Sequence, residues 1–381
     1  MNNVKILYWC PFISKVATIK AVVNSAEGLI KYSKNTIKPE IINVFGEWSG
    51  YQNELYQKNI PLSKSMIKFN FLNYQIENFV ISRLKYFTIF IFSFIPLIKY
   101  LKQKKFDFLM VHLVTSLPLF IFILFNFKTK LILRISGMPK LNFFRNLLWK
   151  LSSKKIYKIT CPTQETYDRL KEIPFLKKKL YLLRDPVLYV KEIIKMKKEK
   201  IDLKLTKKNF ILAVGRLTKQ KNFLFLIENF RYIKNNDLDL VIVGEGEEKK
   251  KILKLIDQLN LNNRVHMINY TKNVFNLIKE CEYFVLTSLW EDPGFVLIEA
   301  AFMNKIILAS DCPSGPKEIL KGGQGGFLYK SNDSKDFILK FELMNNSKIK
   351  ELEKKKINAK NSIKEFSIFR HYKNLENLLT K

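Results

Sequence analysis

Short apolar runs alternate with helix-patterned segments along the whole chain, and this alternation limits the possible folds more than any other feature. In the first half "KILYW", "EIINVF", "FDFLMVHL", "LILRIS" and "YKITCPT" read as strands. Between the first two, Val16, Ile19, Val22, Val23, Ala26, Leu29 and Ile30 fall on one helical face. The second half repeats the scheme with "NFILAVG", "DLVIVGEG", "RVHMINY", "YFVLTS" and "KIILAS". Strands that are apolar throughout, separated by helices, belong to parallel sheets covered on both faces. The expected class is α/β with two doubly wound domains, since 381 residues are too many for one ordinary core. The join is expected in the Lys-rich "YVKEIIKMKKEKIDLKLTKK". That gives an N-terminal domain over 1–190, a C-terminal domain over 205–365, and a terminal helix over 366–381.

Charge narrows the partners. Lys and Arg number 66 against 34 Asp and Glu, a net +32, and 57 of the basic residues are Lys, part of which can reflect genomic base composition. The distribution says more than the total: residues 1–200 hold 35 basic and 12 acidic residues, residues 201–381 hold 31 and 22. A field concentrated on the N-terminal half favours a phosphate-bearing or membrane-surface partner on that side. Nucleic acid would match the charge, but no interleaved basic and aromatic recognition motif accompanies it. Cys10, Cys161, Cys281 and Cys312 show no C-x-x-C spacing, which points to a reducing cytoplasm and away from zinc or disulfides. The start, "MNNVKILYWCPF", has no small-residue cleavage site, so a secretory signal is not expected. Two runs, Tyr86–Ile98 and Leu113–Phe127, are strongly apolar, each with a proline, and shorter than the ~20 residues of a spanning helix. Each reads either as a helix buried on the N-terminal sheet or as one lying partly in a bilayer interface. The cations Arg83, Lys85, Lys99, Lys102, Lys104 and Lys105 around the first run suit the second option.

Three strand ends of the second half come first as candidates for chemistry. In "AVGRLTKQKNFLFLIENF", Gly215 would let the backbone turn sharply, Arg216 offers a planar fork for phosphate oxygens, and Lys221 a point charge at a helix start. Both charges can equally be solvated loop residues. In "DLVIVGEGEEKKKI", the pair Gly244 and Gly246 lacks the third glycine of a dinucleotide fingerprint and reads as a tight turn. In "SLWEDPGFVLIEAAF", Asp292 and Pro293 start a helix, and the amides near Gly294 and Phe295 would face an anion or a sugar hydroxyl. Glu291 precedes that helix; Glu299, eight residues on, sits among apolar neighbours and needs a strong partner, for which vicinal sugar hydroxyls serve. Either glutamate can also be an ordinary helix-start residue. On the N-terminal side, His112 closes a strand at the carboxyl edge, where it is a catalytic or hydroxyl-binding candidate. Arg134 and Ser136 end the next strand as acceptor-phosphate candidates. His266 and His371 read as structural.

Together, "VGRLTKQKN", "VGEGEEKKKI", "EDPGFVLIE" and "ASDCPSGPKEIL" followed by "GGFLY" resemble, in order, the nucleotide-sugar domain of retaining glycosyltransferases of family 4. The likeness is strong over about 209–330 and weak before it. It implies the GT-B fold: two Rossmann-like domains with a cleft between them. It further implies a nucleotide-diphosphate sugar as donor, UDP-linked by preference, and a glycan acceptor, lipid-linked in bacterial surface-polysaccharide synthesis. By the resemblance, Arg216 and Lys221 hold the donor diphosphate and Glu299 the ribose. Glu291 lies beside the donor sugar with Gly294 and Phe295, and no metal is required. The terminal helix would cross back to the N-terminal domain, and the enzyme would work in the cytoplasm, peripheral on the inner membrane face. The family's Gly-rich turn after the first strand is absent from "WCPFISKVATIK", and its Gly-Phe-Pro appears as Asp-Pro-Gly-Phe. A membrane-interface or polyanion-binding protein without catalysis is the alternative class; it leaves the four ordered motifs unexplained.

Overall fold

The computed structural model describes residues 3–14, 16–67, 79–137, 139, 141–199, 209–235 and 237–380. The second part of the expected join, 200–208, lies outside them. The chain divides into two units: Met1–Pro186 with Ile368–Lys381, and Val187–Ser367.

Unit 1 is built on six parallel strands: β1 (Val4–Trp9), β2 (Ile37–Ile41), β3 (Phe108–Val111), β4 (Lys130–Arg134), β5 (Ile156–Cys161) and β6 (Leu180–Leu182). Their order is β2-β1-β3-β4-β5-β6. Alternate residues of each strand serve opposite faces, so strands covered on both sides are apolar throughout. Ile6, Tyr8, Met110 and Ile132 pack under the helix Ala17–Tyr32 and the terminal helix Ile368–Thr380. Leu7, Trp9, Leu109, Val111, Leu131 and Leu133 pack under the helices Phe79–Gln103, Ser116–Leu124 and Phe143–Ser152. Gly28 leaves room for Ile368, whose Cγ2 would lie 3.0 Å from an added Cβ. Buried His371 ties the terminal helix down: Nδ1 donates to the Arg184 carbonyl at 2.6 Å, and Nε2 then accepts from Ser25 Oγ at 2.7 Å.

Two expectations change here. The second strand is Ile37–Ile41, not "EIINVF". It pairs with β1 from Val4–Ile37 onward, and Pro39 is tolerated because β2 is an edge strand. The Tyr86–Ile98 run is part of a 25-residue helix, of which Leu84–Gln103 is long and apolar enough to cross a membrane. One side of that helix, with Ile89, Ser93 and Leu97, is buried in unit 1, while Phe87, Ile91 and Ile95 on the other are exposed. The Leu113–Phe127 run contributes Leu117, Leu119, Ile121 and Phe122 to the core.

Unit 2 holds β7 (Asn209–Val214), β8 (Leu238–Val243), β9 (Val265–Ile268), β10 (Tyr283–Leu286), β11 (Ile306–Ser310) and β12 (Phe327–Tyr329), all parallel. The order β12-β11-β10-β7-β8-β9 is that of dinucleotide-binding domains. The strand sequence reverses direction between β7 and β10, and the crevice outside their carboxyl ends is where such sheets bind ligands. In unit 1 the corresponding point lies between β1 and β3.

A candidate donor site at the β7–β10 switch point

The loops leaving β7 and β10 are knitted together. Gln220 accepts from the Leu289 amide at 2.8 Å through its carbonyl and donates from Nε2 to the Trp290 carbonyl at 2.9 Å. Thr287 Oγ1 donates to the Lys221 carbonyl at 2.9 Å. Lys221 then reaches back across its own loop. Its Nζ pairs with Glu291 Oε1, which also accepts from Ser288 Oγ at 2.6 Å. The Glu291 amide donates to the Pro313 carbonyl at 3.0 Å, so the β11 loop joins the same knot. Glu291 is buried and Lys221 nearly so; the ion pair is what makes burial of either charge tolerable.

Glycines allow this closeness. An added Cβ on Gly215 would stand 3.1 Å from Lys221 Cδ and Cε, so Gly215, where the chain bends on leaving β7, also makes room for the lysine stem. Gly244, at φ +155°, would put a Cβ 1.9 Å from the Gly215 carbonyl oxygen; the Gly244–Gly246 pair is therefore a close-packed turn against the β7 loop.

The helix Phe295–Phe302 starts at Gly294, whose φ is +91°. The amides of Gly294 and Phe295 have no hydrogen-bond acceptor among the described residues, which leaves two donors at a helix N-terminus. Glu299 lies one turn further on, buried among Leu297, Ile298, Ala300 and Ala301. Arg216 is exposed at the mouth, with Nη2 3.4 Å from Gln220 Oε1. Of the residues singled out from the sequence, Gly215, Lys221, Glu291, Gly294, Phe295 and Glu299 thus cluster at one strand edge. Ser288 was missed; its position three residues before Glu291 is the one available signal, and serine is too common in loops for that spacing to stand out.

In unit 1, His112 follows β3 beside β1, its amide bonded to the Trp9 carbonyl at 2.8 Å. The ring is buried, and neither nitrogen has a partner among the described residues. Burial above all, then Arg134 and His371, holds its pKa well below 6.5, so the imidazole is neutral. Arg134 departs from expectation. It is buried with Nε 3.2 Å from Asp185 Oδ1 and Nη2 on Oδ2, so a carboxylate of the fold already occupies its fork. Ser136, beyond it, is exposed. The four cysteines are buried free thiols, and no group of three or more metal-binding side chains occurs among the described residues.

Residues 195–362 match the family model described as glycosyl transferases group 1. An uncharacterized glycosyltransferase of Methanocaldococcus jannaschii is 41% identical over 29% of this chain and 27% of its own length. A Campylobacter jejuni protein named N-acetylgalactosamine-N,N'-diacetylbacillosaminyl-diphospho-undecaprenol 4-alpha-N-acetylgalactosaminyltransferase is 28% identical over 54% of this chain and 57% of that protein. The chain thus spans less than two thirds of the length of these relatives. Among solved structures, Anabaena HepE in complex with UDP and glucose superposes with TM-score 0.74 at 16% identity, covering 99% of both chains. The fold is that of the GT-B glycosyltransferases, two Rossmann-like units with parallel sheets.

Proposed function

We propose that this chain is a retaining glycosyltransferase that moves a sugar from a UDP-linked donor to a lipid-linked diphosphate glycan at the inner face of the plasma membrane. The observation that carries the reading is the pair of buried carboxylates, Glu291 and Glu299, at the carboxyl end of β10, with Lys221 paired onto the first. A diphosphate would be repelled by two bare carboxylates. Lys221 neutralises one of them, while Arg216 and the amides of Gly294 and Phe295 supply donors for phosphate oxygens. Those donors oppose the charge that grows on the diphosphate as the glycosidic bond breaks, and they do so without a divalent ion. Glu299 accepts from the ribose hydroxyls. Glu291 stands beside the donor sugar, its charge already fixed by Lys221 and Ser288. The neutral His112 hydrogen-bonds an acceptor hydroxyl, with Ser136 toward the acceptor phosphate; Arg134, held by Asp185, is left out of that role.

In this reaction the acceptor hydroxyl attacks the anomeric carbon from the face the nucleotide leaves, and its proton passes to a leaving phosphate oxygen. The UDP and glucose bound to HepE and the diphospho-undecaprenol in the name of the Campylobacter relative support these choices of donor and acceptor. The test is incubation with UDP-hexoses and a diphosphate-lipid glycan, with mass detection and NMR of the new linkage. Retained anomeric configuration, undiminished in excess EDTA, is expected. An inverted product or strict dependence on Mg²⁺ or Mn²⁺ contradicts the mechanism.

A further inference from the structure

We infer that the outer surface of the helices Phe79–Gln103, Ser116–Leu124 and Phe143–Ser152 seats on one leaflet of an anionic phospholipid bilayer, with Phe143 and Phe144 as its inserting tip. This docking face rests on the proposed function and deepens it, because a lipid-linked acceptor resides in a bilayer. All three helices cover the same face of the unit 1 sheet: Ile89, Leu117 and Trp149 belong to one core cluster. Phe90 and Phe94 of the first pack on Phe120 of the second at 6.2 Å between ring centroids. Their opposite sides therefore form one outer layer.

That layer is apolar where a soluble surface is usually polar. Phe143 is 75% exposed, Phe144 78% and Phe87 62%, and Ile91, Ile95 and Leu151 are exposed as well. In the third helix Phe143, Phe144, Leu147 and Leu151 share one arc, while Trp149 and Ser152 face the core. A patch of this extent marks an interaction surface. Charge selects the occupant. Between Phe79 and Thr163 the sequence has 15 Lys and Arg against one acidic residue, Asp107; Lys85 and Arg134 are buried and add nothing to the outer surface. Arg145 and Lys150 sit on the third helix itself, and Lys99 and Lys102 end the first. Large apolar side chains within a cationic margin suit anionic headgroups over acyl chains. The buried inner side of Phe79–Gln103 makes it a helix that lies on the surface, not one that spans.

The experiment is sedimentation of the full chain with phosphatidylglycerol–phosphatidylcholine vesicles at about 0.1 and about 0.5 M NaCl, where added salt screens the charge component. Binding that weakens with salt but persists is expected. Phe143→Ser with Phe144→Ser should weaken the salt-resistant part about tenfold or more, at an unchanged melting temperature because both rings are exposed. Phe87→Ser with Ile95→Ser should act in the same direction. No vesicle binding at low salt, equal binding by the Phe143/Phe144 variant at high salt, or a dimer that covers this face each overturns the inference. UDP calorimetry on the same preparations separates the two readings. UDP binding without vesicle binding sinks the docking face alone; vesicle binding without UDP binding sinks the catalytic reading alone.

Discussion

At position 221 a lysine with little exposure lies between Gly215 and Glu291, and its charge has a structural task as well as the proposed catalytic one. Removing one partner of a buried pair leaves the other charge uncompensated. Lys221→Met should therefore cost about 3 kcal/mol in folding stability, and adding Glu291→Gln should recover most of it. Denaturant titration of the two single variants and the double variant measures the coupling; if the losses simply add, the pair is not what holds the β7 and β10 loops together. The sequence displayed both residues but not the pairing, because 70 positions separate them and only the sheet order brings their loops together. Arg134 teaches the converse. Its strand-end position was legible, but Asp185, which takes its charge, lies 51 residues away across the fold.

At the scale of elements, reading succeeded wherever an apolar run was long and unbroken, as in β7, β8 and β10. It failed at β2, where Pro39 disguises an edge strand, and at β6 and β12, three-residue strands too short to carry a pattern. The turn after β8 offers a direct test of close packing. Gly244→Ala forces a Cβ against the Gly215 carbonyl and should cost about 3 kcal/mol, whereas Gly322→Ala, with nothing within 4 Å, should cost about 1 kcal/mol. Thermal denaturation of the two variants compares them. Equal losses would mean the β7 and β8 loops do not touch as described.

For the whole molecule, acid is the informative perturbation. His112 and His371 are both held below 6.5, chiefly by burial, so they stay neutral in the folded chain while the unfolded chain takes up protons. Stability should be flat in these two groups above pH ~6.5 and fall on acidification below it, by up to about 1.4 kcal/mol per pH unit for each. Glu47 works the other way. Burial raises its pKa above 4.5, so protonation favours the folded form as pH falls, and it offsets part of one histidine's loss. Melting temperatures across this range should decline more gently for His112→Phe; a flat profile in the parent chain would contradict the buried neutral imidazoles. Both histidines belong to unit 1, so the loss should start there.

The central claim is a UDP-sugar site built on Glu299 and Glu291, and titration calorimetry with UDP, comparing the parent chain with Glu299→Gln, tests it most directly. Charge-assisted bonds from ribose hydroxyls to Glu299, as proposed, would each be worth about 1.5–3 kcal/mol, so the variant should bind roughly ten- to a hundredfold more weakly while folding normally. Unchanged UDP affinity in a folded Glu299→Gln chain, or no UDP binding by the parent, would contradict the account.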